Sequence, residues 1–167
     1  MFQFAVLTVL PGAVAFAAAM DLFTMKIPNR ISAVLVLAFF PLAALAGLGA
    51  WEVLDHVGAG LCVLALGIIL FIPGWFGGGD AKLMAAIALW IGFDNLPLYA
   101  LYVAIAGGII AAAFNVARSV PLPRLLLGEA WALRLHRSDA GIPYGLALAA
   151  GALFVYPHTI WFARLTG

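Results

Sequence analysis

The eleven residues LMAAIALWIGF, Leu83 to Phe93, decide the fold of this chain. They are apolar and uncharged, yet a helix of that length reaches only about 16 Å, short of the ~30 Å hydrocarbon core of a bilayer. The run therefore either crosses as a short span or turns back as a re-entrant segment. Everything after it changes sides with that choice.

The surrounding sequence belongs to a membrane. Of 167 residues, 66% are hydrophobic and 9% charged, with a mean hydropathy of +1.16; soluble domains carry about a quarter charged residues. Five longer runs lack Asp, Glu, Lys and Arg: Met1 to Met20, Ile31 to Trp51, Val57 to Gly79, Asn95 to Ala117 and Ala140 to Ala163. Each is long enough for a spanning helix. The small residues of AFAAAM, Ala15 to Met20, fit a signal-peptidase site, but no Lys or Arg precedes Lys26, so the basic n-region is missing.

Basic residues in short loops collect on the cytoplasmic side. If Leu83 to Phe93 spans, Lys26, Arg30, Lys82, Arg118, Arg124, Arg134 and Arg137 share one side and Arg164 stands alone opposite. If it does not, the eight divide four and four. The asymmetry selects an all-α integral membrane protein with six transmembrane helices, both termini periplasmic and the basic loops cytoplasmic. No repeat or low-complexity linker divides residues 1–167, so a single membrane domain is expected. The longest loop, Arg118 to Asp139, holds LLLGEAWALRLHR, in which Leu125, Leu126, Trp131, Leu133 and Leu135 mix with Arg134 and Arg137. It reads as a solvated connector near anionic lipid, or as an interfacial amphipathic helix.

Few residues suit metal or cofactor chemistry. Cys62 is alone, and His56, His136 and His158 are scattered without ligand spacing. No metal, cofactor or nucleic-acid partner is expected. Trp51, Trp75, Trp90, Trp131 and Trp161 fall near span ends and read as interface anchors.

Charge beside the hydrocarbon is the remaining signal. In FGGGDAKL, Phe76 to Leu83, Asp80 opens the short helix behind glycines that permit positive φ or close backbone approach. By itself Asp80 is an N-cap and Lys82 a snorkelling anchor. However, Asp21 in MDLFTMKIPNR ends the first helix on the same inner side, whereas Asp55 and Asp94 fall on the outer side. Two carboxylates held a few ångströms apart cannot easily both ionise, so one keeps a proton while the other acts as base. The base activates a water for attack on a peptide carbonyl, and the acid protonates the departing amine.

These residues carry a resemblance. GGGDAKL, Gly77 to Leu83, is similar to the Gly-x-Gly-Asp-x-Lys-Leu motif of the type IV prepilin peptidases, a family of intramembrane aspartyl proteases. DLFTMKIPNR, Asp21 to Arg30, resembles the other aspartate motif of that family, and GIPYGLALAAG, Gly141 to Gly151, its Ile-Pro-aromatic-Gly segment. The resemblance implies a multi-pass endopeptidase of the bacterial inner membrane that removes the basic leader from prepilins or pseudopilins at the cytoplasmic boundary. Asp21 and Asp80 would be the catalytic pair, and Lys26, Pro28, Asn29, Gly77, Gly79, Lys82, Pro143 and Gly145 would support them. Larger members carry an additional cytoplasmic region near the N-terminus, often with paired Cys-x-x-Cys motifs, and methylate the new pilin terminus. With the first aspartate motif at residue 21 and one cysteine, this chain resembles the short, peptidase-only form that serves tight-adherence (Flp) pili. Leu146 stands where many larger relatives have proline.

Two other classes use the same features. Inner-side carboxylates and broken helices also describe small ion- or proton-coupled transporters, although no inverted repeat is visible and neither aspartate falls at the midplane. A non-enzymatic assembly subunit would leave both aspartates as end caps. The coincidence of three motifs in order favours the peptidase. The sequence leaves the oligomeric state and the individual pilin open.

Overall fold

The computed structural model describes residues 2–166 and is all-helical over them. Met1, where the first charge-free run begins, and Gly167, where the expected domain ends, lie outside the described residues. The helices are α1 (Phe2–Thr24), α2 (Asn29–Leu45), α3 (Ala50–Phe71), α4 (Gly78–Ser119), α5 (Ala130–His136), α6 (Gly145–Val155) and α7 (Ile160–Thr166). Among these, α1, α3 and α4 are long and apolar enough to cross a membrane. Large apolar side chains such as Leu37, Ile69 and Ile109 point outward, as they do in a protein solvated by lipid. The chain is a membrane protein.

The short run lies within α4, whose 42 residues are interrupted at Gly92 by a left-handed φ of 74° and ψ of 169°. The arm before the break, 78–91, runs antiparallel to α3, because Gly67 packs on Ala81 and Gly60 on Ala85 and Leu89. The arm after it, 93–119, runs antiparallel to α6, with Gly107 against Tyr144 and Gly151 against Val103. Tyr144 also meets the ring of Phe76, with centroids 6.0 Å apart. Residues 76 and 107 thus share a level, and the two arms fold back on each other at Gly92.

A reversal within a helix leaves backbone groups without their helical partners. Here side chains replace the lost helical bonds. Phe93 N–H donates to Asp55 Oδ2 at 3.0 Å instead of to the Leu89 carbonyl. That carbonyl lies 2.8 Å from His56 Nδ1, which donates in the Nδ1–H tautomer, and the Trp90 carbonyl accepts from Trp161 Nε1 at 2.7 Å. Trp90 Nε1 in turn donates to the Leu35 carbonyl at 3.0 Å, tying the reversal to α2.

Several expected boundaries move for this reason. α3 begins at Ala50, seven residues before the charge-free run, because Glu52, Asp55 and His56 all find partners at its first turns. Trp90 and Trp161 are fully buried hydrogen-bond donors at the reversal and are not interface anchors. The last run is not one helix: the 3-10 turn Tyr156–His158, which contains Pro157, separates α6 from α7. α5 is a short helix seated on the end of α1, with Trp131 edge-on to Phe23 at 5.3 Å and Arg134 donating to the Phe23 carbonyl at 3.1 Å. A cation there also complements the negative end of the α1 dipole.

The reversal makes a testable claim about stability. His56→Leu leaves the Leu89 carbonyl without a donor in a dry site, so it should destabilise the protein by about 1–3 kcal/mol. Trp51→Leu, at a side chain 83% exposed, should change little. Thermal unfolding of the detergent-purified variants measures both.

Candidate active site

One end of the bundle gathers the residues singled out by sequence. α1 ends there because Met25 takes a left-handed φ of 54°, its N–H closing on the Asp21 carbonyl at 2.7 Å. That conformation costs a non-glycine residue about 1–2 kcal/mol. It turns the chain so that Ile27 passes between α1, the start of α4 and the start of α6. Pro28, extended at φ −62° and ψ 130°, then delivers Asn29 into the first turn of α2.

Asp21 is buried in the last turn of α1, 6% exposed, and its Oδ2 accepts the backbone N–H of Gly145 at 2.7 Å. Pro143, itself buried, sets the entry to α6. Only glycine fits at 145, since a Cβ there would lie 2.9 Å from Asp21 Oδ2 and 3.2 Å from Ile27 Cδ1. The Ile-Pro-aromatic-Gly segment thus acts through its backbone as a clamp on the first aspartate.

Asp80 comes from the other direction. α4 starts at Gly78 with Gly77 as N-cap, so Asp80 sits in the first turn and is not the cap itself. The first arm is correspondingly longer than the apolar run, and its 14 residues from 78 to 91 reach about 21 Å. Of the glycines in this stretch, only Gly74 has positive φ. Gly77 and Gly79 serve close approach instead: a Cβ on Gly77 would strike the Asp80 carboxylate, and one on Gly79 would press on Ile27 Cβ at 3.2 Å. Gly78 faces only the ring edge of Phe71. Asp80 Oδ1 is buried and has no hydrogen-bond partner among the described residues.

Ile27 therefore touches both Gly79, next to Asp80, and Gly145, which binds Asp21. Ile27 thus links the segments that carry the two carboxylates. Lys82 Nζ donates to Asn29 Oδ1 at 3.1 Å, joining the two aspartate motifs a second time. Lys26 is exposed and its carbonyl accepts from Thr24 at 3.2 Å, so it lies beside the pair without touching it. Ile27 and Tyr144 were not singled out by sequence, although both lie inside the quoted motifs.

The loops at this end are basic. Arg118 donates to the carbonyls of Leu135 and Gly141, both at 2.8 Å, and holds the long loop over the site. Arg137 forks onto Asp139 at 2.9 and 2.6 Å and keeps that carboxyl below its usual range. Arg164 is at the far end with Glu52, 2.9 Å away.

The clamp predicts a contrast between two glycines. Gly145→Ala should perturb Asp21 and lower stability by about 1–3 kcal/mol through overpacking. Gly108→Ala, where nothing lies within 4 Å, should be neutral or stabilising. Unfolding midpoints of the two variants test it.

Comparison with known proteins adds one match. The type IV leader peptidase family model covers residues 8–112, which include both aspartate motifs and the reversal at Gly92. Among curated proteins and among solved structures, nothing matches the chain. A family match over more than half of the sequence, on an all-helical membrane fold, is sufficient: this chain belongs to the type IV leader peptidase family.

Proposed function

We propose that this peptidase is an aspartic endopeptidase that cuts the basic leader from Flp-type prepilins or pseudopilins, using Asp21 and Asp80 as its catalytic pair. The observation that carries the reading is the convergence of the two aspartate-bearing segments on Ile27, through Gly79 and Gly145, at the end of the bundle that holds the basic loops.

In this reading the ionised aspartate takes a proton from water as the water oxygen attacks the scissile carbonyl. The protonated aspartate stabilises the developing oxyanion and then passes its proton to the amine nitrogen as the C–N bond breaks. The reaction is balanced, because the proton gained by the base replaces the one given by the acid. The Gly145 N–H would hold Asp21 in place during this exchange. Gly77, Gly79 and the turn at Pro28 would allow the two motifs to approach, Pro143 would fix the entry of α6, and Lys26 and Lys82 would face the membrane boundary.

The topology adopted is six crossings, with α4 counted twice, both termini periplasmic and the site facing the cytoplasm. It is supported by Lys26, Lys82, Arg118, Arg134 and Arg137 lying at the aspartate end while Arg164 lies at the other. α2, of 17 residues, and the 14-residue first arm of α4 are short for a bilayer. Such lengths favour local thinning, which would bring water and the leader junction to the carboxylates.

Cleavage of a co-expressed Flp-type prepilin in membranes is the test. Asp21→Asn and Asp80→Asn preserve shape while removing acid–base function, and each should reduce cleavage by about 10²–10⁴-fold at matched expression. Parental cleavage by either variant would exclude the paired-aspartate mechanism.

A further inference from the structure

The helices that carry the two aspartates, α1 and α4, each pack on α2 and α6 but scarcely on each other. The placement of Asp80 relative to Asp21 is therefore passed on through what each of their segments touches. At the aspartate end both segments meet Ile27, in the turn that joins α1 to α2. Its Cβ, carbonyl oxygen and amide nitrogen lie 3.2, 3.4 and 3.7 Å from where a Cβ on Gly79 would stand, and its Cδ1 lies 3.2 Å from the equivalent point on Gly145. Gly79 is the residue before Asp80, and the Gly145 N–H donates to Asp21 Oδ2 at 2.7 Å. One side chain thus reaches from the Asp80 segment to the hydrogen-bond partner of Asp21.

Ile27 has the character of a stiff spacer. A branched Cβ restricts χ1, and it is this atom that rests on Gly79. The ring of Pro28 keeps the residue before it out of the α region, so the backbone of Ile27 is confined as well. On its other side the left-handed Met25 redirects the chain out of α1. The side chain is half-buried and packs against the main hydrophobic core. The other tie between the aspartate motifs, from Lys82 Nζ to Asn29 Oδ1, joins two exposed side chains, where water competes for both partners.

The peptidase reading requires both carboxylates at one water and one scissile carbonyl. Turnover then depends on their separation, since a misplacement of about 1 Å can cost about 10²-fold in rate. We propose that Ile27 is a positioning residue of the peptidase: seated on Gly79 and reaching Gly145, its side chain sets the separation of the segments that bear Asp80 and Asp21. The proposal rests on the peptidase reading and adds to it a residue that transfers no proton itself.

The experiment assays the full chain in proteoliposomes against a Flp-type prepilin, with rates referred to the protein that thermal unfolding shows to be folded. Ile27→Ala removes the reach to Gly145 and should lower kcat about tenfold or more while KM stays within about twofold of the parent. Ile27→Val keeps the branched Cβ and loses only Cδ1, so its kcat should fall between the two. That milder variant decides the matter if Ile27→Ala does not fold. Leu10→Ala, at a buried side chain about three turns up α1 from Asp21, opens a cavity away from the site and should lower the unfolding midpoint while leaving kcat near the parental value. Parental kcat in both Ile27 variants, a change in KM alone, or an equal loss of kcat in Leu10→Ala would overturn the proposal. If cleavage still needs Asp21 and Asp80 in any of those cases, the peptidase reading stands without it. A parent that cuts no prepilin, or one whose cleavage survives loss of either aspartate, would remove both.

Discussion

A backbone polar group shut away from water must find its partner within the protein, and this requirement governs the reversal at Gly92. A chain that turns inside an apolar bundle loses consecutive helical bonds. The fold replaces them with Asp55, His56 and Trp161, drawn from two other helices. Gly92 itself would not admit a side chain, since a Cβ there would meet Asp55 and His56 at 3.0 and 3.1 Å in addition to the strain of its positive φ. The hairpin of α4 is thereby fixed in depth, and Asp80 with it.

The two ends of the bundle use polar residues in different ways. At the reversal they are satisfied: His56 and Trp161 each donate to a specific carbonyl, and Glu52 is paired with Arg164. At the aspartate end satisfaction is incomplete. Asp21 accepts one backbone N–H, while Asp80 Oδ1 is buried without a partner. An unsatisfied buried oxygen is costly, and Ser32 Oγ and the Tyr99 hydroxyl share that condition with Asp80 Oδ1. The left-handed Met25, between Asp21 and Ile27, is a second departure from local preference in the same place.

Close approach, more than backbone freedom, explains the glycines around the carboxylates. Gly77, Gly79 and Gly145 have ordinary neighbours in sequence but no space for a Cβ in the fold. The same device packs the spans, as Gly60 and Gly67 bring α3 onto the first arm of α4. Membrane helices gain little from excluding lipid, so packing of this kind must supply much of their association. It also leaves grooves where helices diverge, such as the one between α2 and α3.

The sequence by itself determined the membrane class, since apolar runs and their flanking charges are properties of composition along the chain. It also singled out Asp21 and Asp80, which stand in motifs legible without coordinates. Helix ends were less legible. Charge-free runs placed the start of α3 at Val57 and joined α6 to α7, because linear reading cannot know that Asp55 and His56 are satisfied by a distant reversal, or that Pro157 closes a 3-10 turn. Trp90 and Trp161 looked like interface residues for the same reason: their buried partners, the Leu35 and Trp90 carbonyls, lie 55 and 71 residues away. Only the tertiary structure decided that Gly145 holds Asp21 and that Ile27 lies between the two motifs. The bond from Gly145 to Asp21 joins residues 124 positions apart, and such contacts depend on which helix faces pack together, a choice that no local pattern encodes.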